Sequence, residues 1–492
     1  MSEQVTTPDL GGMVRRGLAW SAVSSLVLRF GTVAVGIALA RLLTPEEFGV
    51  YAVALTVQAI LMTFADLGLS AGLIVTDDPE AQAPTVGALG LAAGLLAGGL
   101  MALCADPIAS AMGSPASSPA IEVLALALVL AGAGVVPYAM LQRQFAQKAL
   151  FGISVVDFCI STVVTLALVV AGWGVVSIAI GRVCAQAVAC ILQFRLARVR
   201  PRFAFDPAVA RPVLAFGLPV AGTTLLSWVV LNMDNVVVVK VAGTTELGFY
   251  VLAFNIAMWP MSALGQVVRS VSLPAFSRQR ETGDRGGVLR AFGLTGLLAL
   301  PAGVCLAVLA TPVVLTVYGS TWRPSAQVLA VLGLFGGFRV MFDLMAALLL
   351  ARGRSGRVLW IQVCWCVALF PALLVGTRAA GAAGAGWAHL VVGLTVVVPA
   401  YAVALRGEGL RPDEAWRAVR PAALACVPAA AAAALVVFLV EGHVAELVGG
   451  LAVGGLVYLA LVHRPLLRMI RGTDGEPRRD PVLAGDQASE VI

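Results

Sequence analysis

Apolar runs of about 20 residues recur from Leu18 to Val462, each long enough to cross a bilayer. Hydrocarbon offers the backbone no water, so each run must pair its own N–H and C=O groups and therefore forms a helix. Of the 492 residues, 60% are hydrophobic and 12% are charged, too few polar groups to cover a soluble protein of this length. The expected fold is an all-α polytopic membrane protein with about 14 transmembrane helices. The spans are expected to start near Leu18, Phe48, Thr85, Ile121, Leu150, Gly174, Pro212, Leu247, Leu289, Pro324, Val358, Ala382, Val419 and Val444. The hydrophilic stretch before Leu18 leads into a run without a small-residue cleavage site, so the first span reads as retained. Ser272–Leu289 is expected to be the longest ordered connection. The tail from Pro465 is charged, rich in Gly and Pro, and expected to be disordered.

Basic residues set the orientation. Arg41, Lys240, Arg323 and Arg378 are the only Lys or Arg in one alternating set of loops, out of 33 in the chain. Most others lie on the side that carries the N-terminus. This bias places both termini in the cytoplasm, and the formal charge of +6 reports topology. No basic soluble domain is present, so nucleic acid is not an expected partner. All eight cysteines lie in apolar segments, with neither a disulfide framework nor tetrahedral metal spacing. No GxxxxGK[ST] loop occurs, which argues against direct ATP use, and no cofactor is implied.

The chain repeats itself. Arg41–Ala54 reads RLLTPEEFGVYAVA and Lys240–Ala253 reads KVAGTTELGFYVLA; Glu47, Gly49, Tyr51 and Ala54 match Glu246, Gly248, Tyr250 and Ala253. The copies open the second and eighth spans. An even number of spans separates them, so they point the same way, as in parallel repeats around an axis along the membrane normal. The expected organisation is a cytoplasmic leader (1–17), an N-terminal six-helix bundle (18–211), a C-terminal six-helix bundle (212–405), two extra helices (406–463) and a cytoplasmic tail (464–492).

Ionisable residues sit inside the spans: Arg29, Asp66, Asp157, Arg182, Arg339 and Asp343. A charge in hydrocarbon costs about 3 kcal/mol or more, so such residues face a wet cavity or a partner. Polar side chains share their helical phase: Ser154 and Ser161 beside Asp157, Gln186 beside Arg182, Asp234 on the seventh span, and Asn255, Gln266 and Arg269 on the eighth. The striped helices are expected to line a cavity and the plain ones to face lipid. Arg339 and Asp343 are also spaced to pair with each other along one helix. His389, alone in an apolar span, reads as core packing.

Several tracts resemble Wzx-type oligosaccharide flippases, of the polysaccharide transporter branch of the multidrug/oligosaccharidyl-lipid/polysaccharide superfamily. They are ARLLTPEEFGVYAVA followed by ADLGLSAGLI (Ala65–Ile74), LQRQFAQKAL (Leu141–Leu150) and LNMDNVVVVKVAGTTELGFYVLAFNIAMWP (Leu231–Pro260). SLPAFSR (Ser272–Arg278), YGSTWRPSAQVL (Tyr318–Leu329) and LLARGR (Leu349–Arg354) continue the pattern. The resemblance implies fourteen helices in two bundles and a polyprenyl-pyrophosphate-linked oligosaccharide as substrate, moved from inner to outer leaflet of the plasma membrane. It also implies similar family residues at Arg29 and Asp234, and it places Asp66 in the DLG tract.

A pyrophosphate and a glycan are too costly to desolvate to cross unaided, and arginine forks bind phosphate oxygens well. The candidate substrate-binding residues are therefore Arg29, Arg182, Arg339, Asp234, Asn255, Gln266 and Arg269. Asp66, Asp157 and Asp343 are the candidates for ion coupling. Membrane lipids, and the polymerase and glycosyltransferases of the same pathway, are the expected partners. The competing readings are a lipid II flippase, a cation-coupled multidrug exporter of the same superfamily, and a polytopic polymerase or ligase. An enzyme would need a large outside loop or a convergent acid–base site, so no enzymatic activity is expected.

Overall fold

A computed structural model of the chain describes residues 30–200, 202–282 and 285–471. Every regular element among them is helical. The first is α1 (Phe30–Leu42). The next eight are α2 (Pro45–Asp66), α3 (Leu69–Val75), α4 (Pro79–Leu103), α5 (Ala105–Ala111), α6 (Ser118–Arg143), α7 (Gln147–Val170), α8 (Val176–Ala197) and α9 (Pro207–Ala242). They are followed by α10 (Thr244–Thr282), α11 (Arg285–Val308), α12 (Ala310–Val317), α13 (Arg323–Ala351) and α14 (Ser355–Val392). The series closes with α15 (Val398–Arg406), α16 (Pro412–Leu439) and α17 (His443–Arg471).

Ten of the described helical stretches are long and apolar enough to cross a membrane; α1 and the first part of α9 are shorter apolar helices. The expected polytopic all-α fold is what forms, and span starts from Phe48 onward fall within about two turns of a helix start. One of the ten stretches runs from Ser355 to Arg406 and doubles back. Ala380 and Gly381 leave helical geometry, Gly381 at φ 55, a left-handed value that glycine adopts freely. Gly376 and Gly384 then face each other across the reversal.

Proline starts many helices. Pro45, Pro79, Pro207 and Pro412 each occupy a first helical position, where the missing N–H costs nothing. Asp78 and Asp206 cap two of these starts, accepting the N–H of Ala81 at 3.1 Å and of Ala208 at 2.8 Å. The expected connection Ser272–Leu289 is instead largely helical: α10 continues to Thr282 and α11 begins at Arg285. Likewise α17 runs through Pro465 to Arg471, and the rest of the expected tail lies outside the described residues.

The chain forms two compact units. One comprises residues up to Ile256 with Ala310–Leu332 and Val363–Gly393; the other comprises Ala257–Leu309, Gly333–Gln362 and the chain from Leu394. The first has a core of small and branched side chains from α2, α4, α6 and α8, including Ala54, Met101, Ile121, Leu124 and Ala179. There α4 and α6 approach so closely that a Cβ on Gly90 would meet the carbonyl of Gly132, the small-residue packing typical of membrane helices. The second unit is centred on Leu297, Ala422, Cys426 and Tyr458 of α11, α16 and α17. The Tyr458 hydroxyl donates to the Leu297 carbonyl at 2.9 Å.

Candidate functional site

The charges expected inside spans are largely placed in pairs. In the first unit, Arg182 of α8 lies 3.6 Å from Asp157 of α7, with the arginine side chain 44% exposed. That separation is an ion pair without a good hydrogen bond, so the guanidinium keeps donors for another anion. In the second unit, Arg339 and Asp343 sit 3.7 Å apart one turn along α13, each about a third exposed. Asp66 ends α2 and accepts from the N–H and hydroxyl of Ser70, at 3.3 and 3.0 Å. It thereby bridges the break at Leu67 and Gly68 before α3. Asn255 is exposed on α10. Only the backbone of Gln266 and Arg269 is described, as part of α10. Arg29 lies outside the described residues.

Both repeat copies open a helix, and within the first unit they meet. Glu47 completes a capping box at the start of α2: it accepts the Thr44 N–H at 2.8 Å and hydroxyl at 3.0 Å, and Thr44 Oγ1 accepts the Glu47 N–H at 3.3 Å. Glu246, in the first turn of α10, accepts the Ala382 N–H at 2.8 Å and so secures the α14 reversal. The matched glycines form the contact. A Cβ on Gly49 would overlap the Thr244 carbonyl, and one on Gly248 would overlap the Pro45 carbonyl. Thus α2 and α10 cross backbone against backbone, which only glycine permits.

Further side chains pack around the same crossing. Trp322, 1% exposed, donates its Nε1–H to the Ala40 carbonyl at 2.6 Å. Phe48 and Phe249, each beside a repeat glycine, meet it edge-on at centroid distances of 5.5 and 6.1 Å. Arg41 donates from Nε and Nη2 to the carbonyls of Val317 and Thr316, both at 2.8 Å, at the negative end of α12. Burial pushes the nearby Tyr318 phenol up to about 12, so it stays neutral at ordinary pH.

The same unit holds a buried polar cluster that the sequence did not reveal. The Tyr250 hydroxyl donates to Asp234 Oδ2 at 2.6 Å. His389 Nε2 is 3.1 Å from that hydroxyl and 3.6 Å from Asp234 Oδ2. Asp234, Tyr250 and His389 are 5%, 0% and 7% exposed. His389, expected to be a packing residue, is part of a polar network, and Asp234 is enclosed by it. The neighbouring Asn235 side chain reaches Thr56 Oγ1 at 3.2 Å, on α2, the helix that carries Gly49. The available signal was that Tyr250 belongs to the repeated motif. No group of three His, Cys, Asp or Glu suited to a metal occurs among the described residues.

Residues 38–327 match the family described as Polysaccharide biosynthesis protein. The chain belongs to this family. It is 26% identical over 497 residues to the succinoglycan biosynthesis transport protein ExoT of Rhizobium meliloti (strain 1021), covering 97% of this chain and 98% of that one. It is 25% identical over 407 residues to the lipopolysaccharide biosynthesis protein WzxC of Escherichia coli (strain K12), covering 79% and 80%. These matches bear out the resemblance read from the motifs, and they align the chain with transport proteins, not enzymes. Among solved structures, lipid II flippase MurJ in an inward closed conformation superposes with a TM-score of 0.75 at 14% identity, over 92% of this chain and 100% of that one. An inward-facing MATE family transporter gives 0.59 at 16% identity, over 75% and 93%. The shared fold is that of a multi-span helical transporter.

Proposed function

We propose that the chain is a flippase that carries a polyprenyl-pyrophosphate-linked oligosaccharide from the inner to the outer leaflet of the plasma membrane, for synthesis of a surface polysaccharide. The observation that carries this reading is the backbone crossing of the two repeat copies at Gly49 and Gly248, with Trp322 packed beside it, which we read as a closure of one end of the multi-span fold. A closure made of a few reversible contacts suits a carrier that opens to each side in turn. The Lys and Arg bias supports a closed end outside and both termini in the cytoplasm, and two repeat-related bundles, 18–211 and 212–405, are the bodies proposed to move.

The exposed, loosely paired Arg182 is a candidate ligand for pyrophosphate oxygens. Arg29 and Arg339 are assigned the same role, and Asn255, Gln266 and Arg269 are assigned to the sugars. Asp157 and Asp343 hold the arginines when the substrate is absent. The polymerase and glycosyltransferases of the same pathway are the proposed partners, because they must supply and consume the lipid-linked oligosaccharide. The test is cellular. Cells lacking the protein should accumulate the lipid-linked oligosaccharide on the inner leaflet and lose the surface polymer. The wild type should restore both, and Arg182→Ala, at matched membrane levels, should restore less than a tenth. Normal polymer in cells lacking the protein would contradict the assignment.

A further inference from the structure

We propose that a basic cavity at one end of α4, α6 and α8 binds the headgroup of an anionic phospholipid. All three helices are long and apolar enough to cross a membrane, and the cavity lies where α4 begins and where α6 and α8 end. That is the level of lipid headgroups. Its volume is about 380 Å³, within the range of small-molecule sites. Arg198, Arg200 and Arg202 line it against a single acid, Glu80, which leaves the lining with a net charge of +2. Phe194 and Phe203 complete the apolar part of the wall.

The local fold brings the arginines together. Arg198 ends α8 in a left-handed conformation, φ 54, which turns the chain out of the helix. The next segment runs back over the start of α4. There the Ala204 N–H donates to the Pro84 carbonyl and the Asp206 N–H to Thr85 Oγ1, both at 3.3 Å. Arg200, Arg202 and Phe203 are thereby held against α4. No ion pair engages any of the three arginines among the described residues. Asp78 and Asp206, acids close by in the chain, accept backbone N–H groups at the starts of α4 and α9. Basic residues at span ends commonly do no more than set orientation. Here three of them share one walled cavity with apolar side chains, the combination an amphiphile with an anionic head requires. Guanidinium forks grip phosphate oxygens. Phe203 and Phe205, 49% and 64% exposed, offer apolar surface to the upper acyl chain. Basic pockets between membrane helices recognise anionic headgroups in this way. A zwitterionic headgroup carries a cation of its own, which the net positive lining repels. None of this depends on the transport reading above.

The test uses the full chain, stripped of native lipid in a nonionic detergent. Native mass spectrometry counts bound lipid as dioleoyl phosphatidylglycerol or dioleoyl phosphatidylcholine is added. One phosphatidylglycerol should bind at least about tenfold more tightly than any phosphatidylcholine, the margin expected of charge-assisted hydrogen bonds. It should also raise Tm, as a ligand of the folded state does. Arg200→Gln combined with Arg202→Gln should weaken that binding by about tenfold or more. Ala83→Trp, which fills the cavity with every arginine in place, should weaken it as much. Glu80→Gln, which removes the acid from the lining, should tighten it. Changing Arg195 and Arg211 to Gln together, both exposed at this end but outside the lining, should leave it unaltered. Equal affinity for the two lipids, an equal loss from the Arg195 and Arg211 pair, or indifference to Ala83→Trp in folded protein would overturn the proposal. So would displacement of the lipid by an equal concentration of glycerol phosphate, which would make the ligand a free phosphate. Flipping is not read, so a failure here leaves the transport reading standing.

Discussion

Single residues decide the seal. Gly49 and Gly248 sit where any side chain would strike a backbone carbonyl, and backbone cannot yield as a flexible side chain can. Gly248→Val should destabilise the closed arrangement by about 1–3 kcal/mol, the usual cost of overpacking. Spin-label distances across the sealed end should show a predominantly open protein that still folds and inserts. Trp322 lends itself to a gentler change: Trp322→Phe keeps the ring among Phe48 and Phe249 but deletes the bond to Ala40. A loss of about 1 kcal/mol from the closed state is expected, read from the same distances. At Arg182 the expectation is different in kind. The 3.6 Å pair with Asp157 is partly exposed, so its coupling in a double-mutant cycle of stability should stay below about 1 kcal/mol, while Arg182→Ala alone should cut transport at least tenfold. The sequence exposed these residues unevenly. Arg339 and Asp343 could be paired by counting along one helix. His389 could not, because its partners Tyr250 and Asp234 lie more than a hundred residues earlier in the chain and hydropathy sees only an isolated histidine.

At the scale of elements, the apolar runs were legible because a membrane helix must satisfy its own backbone, and from Phe48 onward the start of each run tracks a helix start. The repeat was legible too, as matched Glu, Gly and Tyr at a fixed spacing. Its consequence was not: that α2 and α10 cross at those glycines is a tertiary fact with no periodic signature. Connections were least legible. Ser272–Leu289 is polar enough to read as a loop, yet helix fills most of it. The connection between α13 and α14 is fixed by long-range charge. Glu408, beyond α15, accepts from Arg354 Nε at 2.8 Å and Arg357 Nη1 at 2.6 Å, while Arg352 donates to its backbone carbonyl at 2.6 Å. Its side chain is only 10% exposed, whereas those of Arg354 and Arg357 are 52% and 41% exposed. Glu408→Gln should therefore lower stability by only about 1 kcal/mol, seen as a small fall in Tm that shrinks further at high salt. Transport should be largely preserved.

The whole molecule combines membership of a polysaccharide biosynthesis family with a multi-span helical transporter fold; the closure at one end is proposed. Family membership follows from the match over residues 38–327; the direction of movement and the nature of the cargo are the proposed steps. The proposed cargo gives a use to the charges kept within the spans, each of which otherwise costs several kcal/mol in lipid, and the proposed closure gives a use to the repeated motif. The measurement that bears most directly on the central claim is transbilayer movement of a lipid-pyrophosphate-linked oligosaccharide in proteoliposomes, with wild type, Arg182→Ala and Gly248→Val compared at equal, folded protein. The wild type should move it rapidly and both variants at least tenfold more slowly. No movement of any lipid-linked glycan by the wild type, or undiminished movement with Gly248→Val shown to hold the seal open, would contradict that claim.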